Sequence, residues 1–136
     1  MLESTPWIGI LIATVAAMAV GAAWYGALGN PWMRAAGVTR EEVESGEGPA
    51  LYALAALAHL VMAWAVAGLI FHIAPQGGIG AGVAGAFFAW LGFAAVPLVV
   101  THRFQMRPWT LTAIDAGHYL VLLLVQGAVL GWWMTA

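Results

Sequence analysis

The side chains of this sequence that could do chemistry are concentrated in its last hydrophobic stretch, residues 109–133. Asp115 is the only charged residue inside any apolar run of the chain. On a helix, with about 100° per residue, a single arc of roughly 120° collects the polar side chains of this stretch. They are Thr112, Asp115, His118, Tyr119 and Gln126. An aspartate beside a histidine in an apolar segment is typical of a proton relay.

A second histidine, His59, lies in another hydrophobic run at a similar depth. Counted from one membrane face at about 1.5 Å per residue, Asp115 is roughly 9 Å deep, His118 roughly 13 Å and His59 roughly 12 Å. These three groups could therefore meet in one plane, whereas His72 points to the opposite side of its helix. The candidate residues for binding or proton relay are Asp115, His118, His59, Tyr119 and Gln126.

Several interpretations of this cluster stay open. An ionised carboxylate at such a depth costs on the order of 3 kcal/mol, so Asp115 must be protonated, paired or in contact with water. It could form a purely structural pair with His118, His59, Arg103 or Arg107, or it could belong to a proton- or ion-coupled transport site. Metal binding by His59, Asp115 and His118, tetrapyrrole ligation by the two histidines, and acid/base chemistry on a lipid by Asp115 and His118 are further alternatives.

Composition excludes several classes of activity. The chain has no lysine and no cysteine, which removes Schiff-base chemistry, a phosphate-loop lysine, disulfides, thiolate catalysis and cysteine-ligated metals. The net charge of -2 does not indicate a polyanionic partner, so we do not expect the protein to bind nucleic acid. We assign no catalytic residue, no metal ligand and no cofactor, and an enzyme is the less favoured class.

The elements that must position these residues are membrane spans. Of the 136 residues, 63% are hydrophobic and 7% are charged, against about 25% charged in soluble domains. The four apolar runs, at about 7–28, 51–74, 78–101 and 109–134, can each cross a hydrocarbon core of about 30 Å. They predict an all-α, integral membrane four-helix bundle that forms one domain over residues 1–136.

Local signals refine this arrangement. The first run is expected to be a retained span and not a signal peptide, because the only charge before it, Glu3, is negative. Thr39 and Glu42 match a capping box and predict a short helix at about 40–45. Pro97 predicts a kink in the third span.

The arginines set the predicted orientation. All four of them lie in the first and third connections, so the positive-inside rule makes these loops cytoplasmic and both termini extracytoplasmic. The expected location is the bacterial inner membrane. The residues interpreted as interfacial anchors are Trp24, Tyr25, Trp32, Trp109, Arg103 and Arg107.

Small residues indicate close helix contacts. They are Ala13, Ala17 and Gly21 in the first span and Ala113, Gly117, Gly127 and Gly131 in the last. The pair Gly127 and Gly131 could pack within the bundle or form a homodimer seam. Besides the lipid bilayer, we expect a second copy of the chain or a membrane complex as partner. The residues around His59 in the second span resemble those around His118 in the fourth span. This resemblance predicts a possible pseudo-repeat of two helical hairpins.

Short motifs are spread over nearly the whole chain. They are Trp24-Tyr25, Asn30-Pro31-Trp32-Met33, Gly37-Val38-Thr39-Arg40-Glu41-Glu42, Arg107-Pro108-Trp109 and Ile114-Asp115-Ala116-Gly117. In these motifs the sequence resembles the domain-of-unknown-function 1761 family of small bacterial membrane proteins. The resemblance implies a four-span fold with a cytoplasmic first loop, and it implies no established activity.

The sequence thus predicts a multi-pass membrane protein with a polar intramembrane site. Transport or permeation of a small solute or ion is the first hypothesis for its function. A non-catalytic structural or assembly subunit of a membrane complex is the alternative, and a cofactor- or metal-binding membrane protein is the second alternative.

Overall fold

A computed structural model of the chain describes residues 5–135, and its regular elements are helices. They are α1 (Trp7–Ala36), α2 (Arg40–Gly46), α3 (Pro49–Ile73), α4 (Ile79–Phe104) and α5 (Trp109–Trp133). All except α2 are long and apolar enough to cross a membrane. The predicted all-α fold with four apolar helices is therefore confirmed, as a multi-pass membrane protein requires. Glu3, used for the signal-peptide expectation, lies outside the described residues.

Helix α1 is longer than the sequence predicts. The span predicted over about 7–28 lies in a helix that continues through Pro31 to Ala36. It ends where Gly37 adopts a left-handed φ of 73° and donates its N–H to the carbonyl of Met33. At about 1.5 Å per residue such a helix measures roughly 45 Å, more than the hydrocarbon core of about 30 Å. The extension carries Trp32, which contacts α5.

Helix α2 begins at the predicted capping box. The Thr39 hydroxyl accepts the N–H of Glu42 at 3.2 Å, and the Glu42 carboxylate accepts the N–H of Thr39 at 2.8 Å. Two backbone N–H groups that a helix start leaves free are thereby satisfied.

Helix α4 is irregular near its middle. A single π-helical turn, Leu91–Ala95, comes directly before Val96 and Pro97. Proline has no N–H to donate to the preceding turn, and the wider turn accommodates this break without ending the helix. The sequence predicts an irregularity in this region from Pro97.

Helix α5 lies at the centre of the bundle and packs against α1, α3 and α4. Its closest contact is with α4, where Gly127 faces Gly82 and Gly131 faces Gly78. The helices approach so closely that a Cβ atom at Gly127 would collide with the Gly82 carbonyl, and the N–H of Gly78 reaches the carbonyl of Gly131 at 2.8 Å. Packing within the bundle is therefore the correct interpretation of Gly127 and Gly131, and a homodimer seam through them is wrong.

The two arginine-bearing connections lie at the same end of the bundle, which we call the arginine end. Arg107 in the third connection donates to the carbonyl of Ala36 at the end of α1, at 3.1 Å. At the other end, Gly9 lies beside the Trp133 side chain. That the two loops share a side is confirmed, while the side of the membrane, the pseudo-repeat and the single-domain assignment stay predictions.

Candidate functional site around Asp115 and His118

Asp115 is bound by two aromatic donors from α1. Its Oδ1 atom accepts the Tyr25 hydroxyl at 2.7 Å and the Trp32 indole N–H at 3.1 Å. Tyr25 and Trp32 are seven residues apart, two helical turns, so both face α5, with their rings edge-to-face at 6.0 Å. Two donors on one carboxylate oxygen stabilise its negative charge inside an apolar segment.

The partners predicted for Asp115 are therefore wrong. The sequence suggested hydrogen bonds to His118, His59, Arg103 or Arg107, but within residues 5–135 the carboxylate is bonded to Tyr25 and Trp32 instead. Arg103 and Arg107 make their hydrogen bonds elsewhere, to Thr112 and to the carbonyl of Ala36.

Two further indole groups hold α5 on either side of the carboxylate. Trp24 on α1 donates to the carbonyl of Ile114 at 3.0 Å, and Trp90 on α4 donates to the carbonyl of Ala116 at 2.8 Å. Gly117 makes room for this contact, since a Cβ atom there would lie 2.8 Å from the Trp24 ring. We call Trp24, Tyr25, Trp32 and Trp90 the aromatic clamp.

The aromatic clamp adds an inward role for three of the predicted interfacial anchors, whose depth in the membrane stays a prediction. Trp24, Tyr25 and Trp32 are half-buried, and their polar atoms are directed at α5 and not at a surface. Buried Trp and Tyr side chains need a partner for their N–H and O–H groups, and the helix next to them supplies it. Trp109, in contrast, is exposed at the arginine end.

His118 is a buried imidazole without a hydrogen-bond partner. Its side chain is 7% exposed, and neither ring nitrogen has a partner within residues 5–135. The ring centroid lies 4.9 Å from that of Tyr25, 5.0 Å from that of Tyr119 and 6.4 Å from that of His59. A buried polar group left unpaired costs about 1–3 kcal/mol. This imidazole is the least satisfied polar side chain of the bundle core.

His59 and Gln126 complete the cluster on the side of α3. The His59 Nδ1 atom lies 3.1 Å from the sulfur of Met18 on α1. The fully buried Gln126 donates its amide to the backbone carbonyl of His59 at 3.1 Å, while its Oε1 atom has no partner among the described residues. The five predicted site residues are thus brought together, with Tyr119 packed against His118.

The set of metal ligands that the sequence left as an alternative, His59, Asp115 and His118, is not brought together as a metal site. No group of three or more His, Asp or Glu side chains is close enough to hold an ion within residues 5–135. Binding by His59, Asp115 and His118 together is therefore wrong, because the carboxylate is directed at the aromatic clamp. His72, which the sequence left out of the site, is exposed and contacts the carbonyl of Gly68 in its own helix.

A second polar group lies next to Asp115 towards the arginine end. The buried Thr112 hydroxyl is 2.8 Å from Nδ1 of His102 and accepts the Arg103 guanidinium at 2.7 Å. The guanidinium carbon of Arg103 lies 3.7 Å above the Trp109 ring, a cation–π contact. Polar side chains therefore follow one another along α5 from the arginine end to Gln126.

Sequence reasoning missed several residues of the site. They are Met18, Trp90 and His102, together with the inward role of Trp24, Tyr25 and Trp32. The spacing of seven between Tyr25 and Trp32 was a usable signal, because residues at that spacing share one helix face. Nothing comparable marks Met18, which is one of many apolar residues in α1.

Comparison with known proteins shows a family match. Residues 8–131 match the model of a family described as protein of unknown function, DUF1761. The match covers almost the whole chain. No curated protein and no solved structure is significantly similar to it.

Proposed function

The chain belongs to the DUF1761 family, and we propose that it mediates proton-coupled transport or permeation of a small solute or ion across the bacterial inner membrane. The observation that carries this proposal is His118. A buried imidazole with two unpaired nitrogens lowers the stability of the fold, which favours a role in function, and it lies beside a carboxylate–phenol pair.

The geometry of the cluster suits proton exchange. The Asp115 carboxylate is hydrogen-bonded to the Tyr25 hydroxyl at 2.7 Å, and the Tyr25 ring lies against His118, which lies next to His59. A hydroxyl both donates and accepts, and a neutral imidazole carries one donor and one acceptor. The ring contacts of His118 are not hydrogen bonds, so a water or a polar solute bound to its free nitrogens would complete a path between carboxylate, phenol and imidazole.

The distribution of polar side chains along α5 favours access of a proton or solute to the cluster from the arginine end. They run along α5 from the arginine end to Gln126, whereas the opposite half of the core contains Ile10, Leu130 and the close glycine contact of α4 with α5. With the arginine end in the cytoplasm, the polar half of the core faces the cytoplasm and the apolar half faces the outside. Transport then requires α4 to move, and its π-helical turn at Leu91–Ala95 makes it the least regular helix.

A structural or assembly subunit is the second candidate function. It is favoured by the outward face of α4, where Phe88, Phe93 and Phe104 are largely exposed. Lipid covers such a face in a monomer, and a second copy or a partner subunit covers it in a complex. In that case the aromatic clamp only fixes the register of α1, α4 and α5.

Proton flux distinguishes the two functions. We expect liposomes that contain the protein and a pH-sensitive dye to take up protons under an imposed membrane potential, and His118→Gln to reduce the rate at least tenfold. The matched control is His72→Gln, because His72 is exposed and outside the cluster. Flux of the parent protein equal to that of protein-free liposomes, with the protein folded, would overturn a proton pathway through His118, on which the transport proposal rests, and would favour the structural function.

A further inference from the structure

We propose that Met18, His59 and His118 form a binding site for a soft monovalent metal ion, Cu⁺ or its redox-inert analogue Ag⁺. The inference rests on the proposed function, since it names the class of ion that the intramembrane site holds. Its ligands differ from those of the excluded metal site, because a thioether replaces the carboxylate of Asp115.

The nitrogen–sulfur distance between His59 and Met18 is close to the distance between two ligands of one metal ion. The His59 Nδ1 atom and the Met18 sulfur are 3.1 Å apart. A metal about 2.0 Å from a nitrogen and about 2.3 Å from a sulfur holds these two atoms roughly 3 to 4 Å apart. A small opening of the two side chains therefore admits the ion between them.

His118 supplies the third donor. Both of its ring nitrogens are free of protein partners within residues 5–135, and its ring centroid lies 6.4 Å from that of His59. A metal about 2.0 Å from an imidazole nitrogen lies about 3.1 Å from the centroid of that ring, so two imidazoles on one three-coordinate ion have their centroids about 5.5 Å apart. The two histidine rings must therefore approach each other by about 1 Å to share an ion.

Glycine at position 21 leaves the space for this donor. A Cβ atom at Gly21 would lie 3.3 Å from Nε2 of His118, so the unpaired nitrogen faces the bare backbone of α1. Gly21 and Met18 are three residues apart and share a helix face. The Nε2 atom of His118 and the Met18 sulfur therefore approach the same region between α1, α3 and α5.

The donor set selects the ion. Thioether sulfur is a soft ligand that favours Cu⁺, and imidazole nitrogen accepts it equally. All three ligands are neutral, so the site takes the charge of its ion. One positive charge is balanced by the Asp115 carboxylate, which Tyr25 connects to His118. A divalent ion would leave an excess charge in an apolar environment, at high cost. The ion binds and leaves as the monovalent species, with no electron transferred.

The competing explanation is an ordinary hydrogen bond from the His59 ring to the Met18 sulfur, which is a weak acceptor. Such a bond fixes the orientation of His59 and needs no metal. The hydrogen bond leaves His118 without a partner, whereas a bound metal ion would be a partner for all three side chains.

Anaerobic titration of the purified protein in lipid nanodiscs with Cu⁺, against a chromophoric Cu⁺ chelator, tests the inference. We expect one ion per chain, and an affinity at least tenfold lower for the near-isosteric variant Met18→Leu. The controls are Met106→Leu, at a methionine that is 90% exposed, and His72→Gln, both of which should bind as the parent protein does. X-ray absorption should detect nitrogen and sulfur neighbours, with the sulfur lost in Met18→Leu.

The outcomes separate this inference from the proposed function. The metal site is overturned if the parent protein fails to compete with the chelator, or if Met18→Leu binds Cu⁺ as tightly as the parent protein does. Proton flux, measured in the same preparation, then decides the proposed function independently. Binding of Cu⁺ without proton flux overturns proton coupling and leaves the metal site in place.

Discussion

Tyr25 donates its phenolic hydrogen to Asp115 over 2.7 Å and so joins the first helix of the bundle to the last. The two residues are 90 positions apart in the chain. The carboxylate is consequently stabilised only when the bundle is closed. Because Trp32 donates to the same oxygen, α1 contributes both hydrogen bonds that allow an acidic residue to remain inside α5.

Tyr25→Phe removes the hydroxyl and keeps the ring. Hydrogen bonds to charged groups contribute about 1.5–3 kcal/mol, so we expect the free energy of unfolding to fall by about that amount. Reversible unfolding in mixed detergent micelles measures it. Tyr52→Phe is the matched control, since Tyr52 on α3 is 54% exposed, and it should change the free energy by less than about 0.5 kcal/mol. Equal effects of the two substitutions would show that the Tyr25–Asp115 bond contributes nothing.

The contact between α4 and α5 depends on the absence of side chains. In Gly127→Ala the new methyl group meets the Gly82 carbonyl and lies 2.8 Å from the Cβ of Ala86. We expect a loss of roughly 1–3 kcal/mol from overpacking, measured by the same unfolding experiment.

Gly80→Ala is the control for that substitution. Gly80 also lies in α4, but a Cβ atom there meets nothing within 4 Å. Alanine has a higher helix propensity than glycine, so stability should rise by up to about 1 kcal/mol. A Gly127→Ala protein as stable as the Gly80→Ala protein would contradict the close helix crossing.

The length and apolar composition of the runs were enough to predict four spans, and Thr39 with Glu42 was enough to predict α2. The direction of the apolar side chains around α1 and α3 was not predictable. In alanine-rich helices such as α1 and α3 the apolar residues surround the axis, so hydrophobic periodicity does not distinguish the inward face.

The same limit explains why the inward direction of Trp24 and Tyr25 was missed. The preference of Trp and Tyr for membrane interfaces describes depth along the membrane normal, whereas their role in the aromatic clamp depends on rotation about the helix axis. The continuation of α1 past Pro31 has another cause. Proline weakens a helix by one hydrogen bond, but the contact of Trp32 with Asp115 helps to hold the next turn in place, and that contact is not visible in the sequence.

Gln126 tests whether a buried polar group serves packing alone. It donates one hydrogen bond, to the carbonyl of His59, and leaves its Oε1 atom unpaired within the described residues. Gln126→Leu removes both the hydrogen bond and the unpaired oxygen and keeps the side-chain volume similar. We therefore expect a change in the free energy of unfolding of less than about 1 kcal/mol. Gln126→Ala also leaves a cavity and should cost about 2 kcal/mol or more. Losses of equal size in the two variants would mean that the amide has a further partner, such as a buried water.

The predicted orientation depends on four arginines and can be tested by moving charge. We expect a periplasm-dependent reporter fused to the C-terminus to be active and a cytoplasm-dependent one to be inactive, because both arginine-bearing loops are predicted to be cytoplasmic. The triple variant Gln76→Arg, Arg103→Gln and Arg107→Gln places a charge in the second connection and removes two from the third. It should give a mixed orientation, with both reporters partly active. Arg103→Gln with Arg107→Gln alone is the control, since Arg34 and Arg40 remain at the arginine end and should preserve the orientation. A cytoplasmic C-terminus in the parent protein would reverse the direction of access to Asp115 and His118.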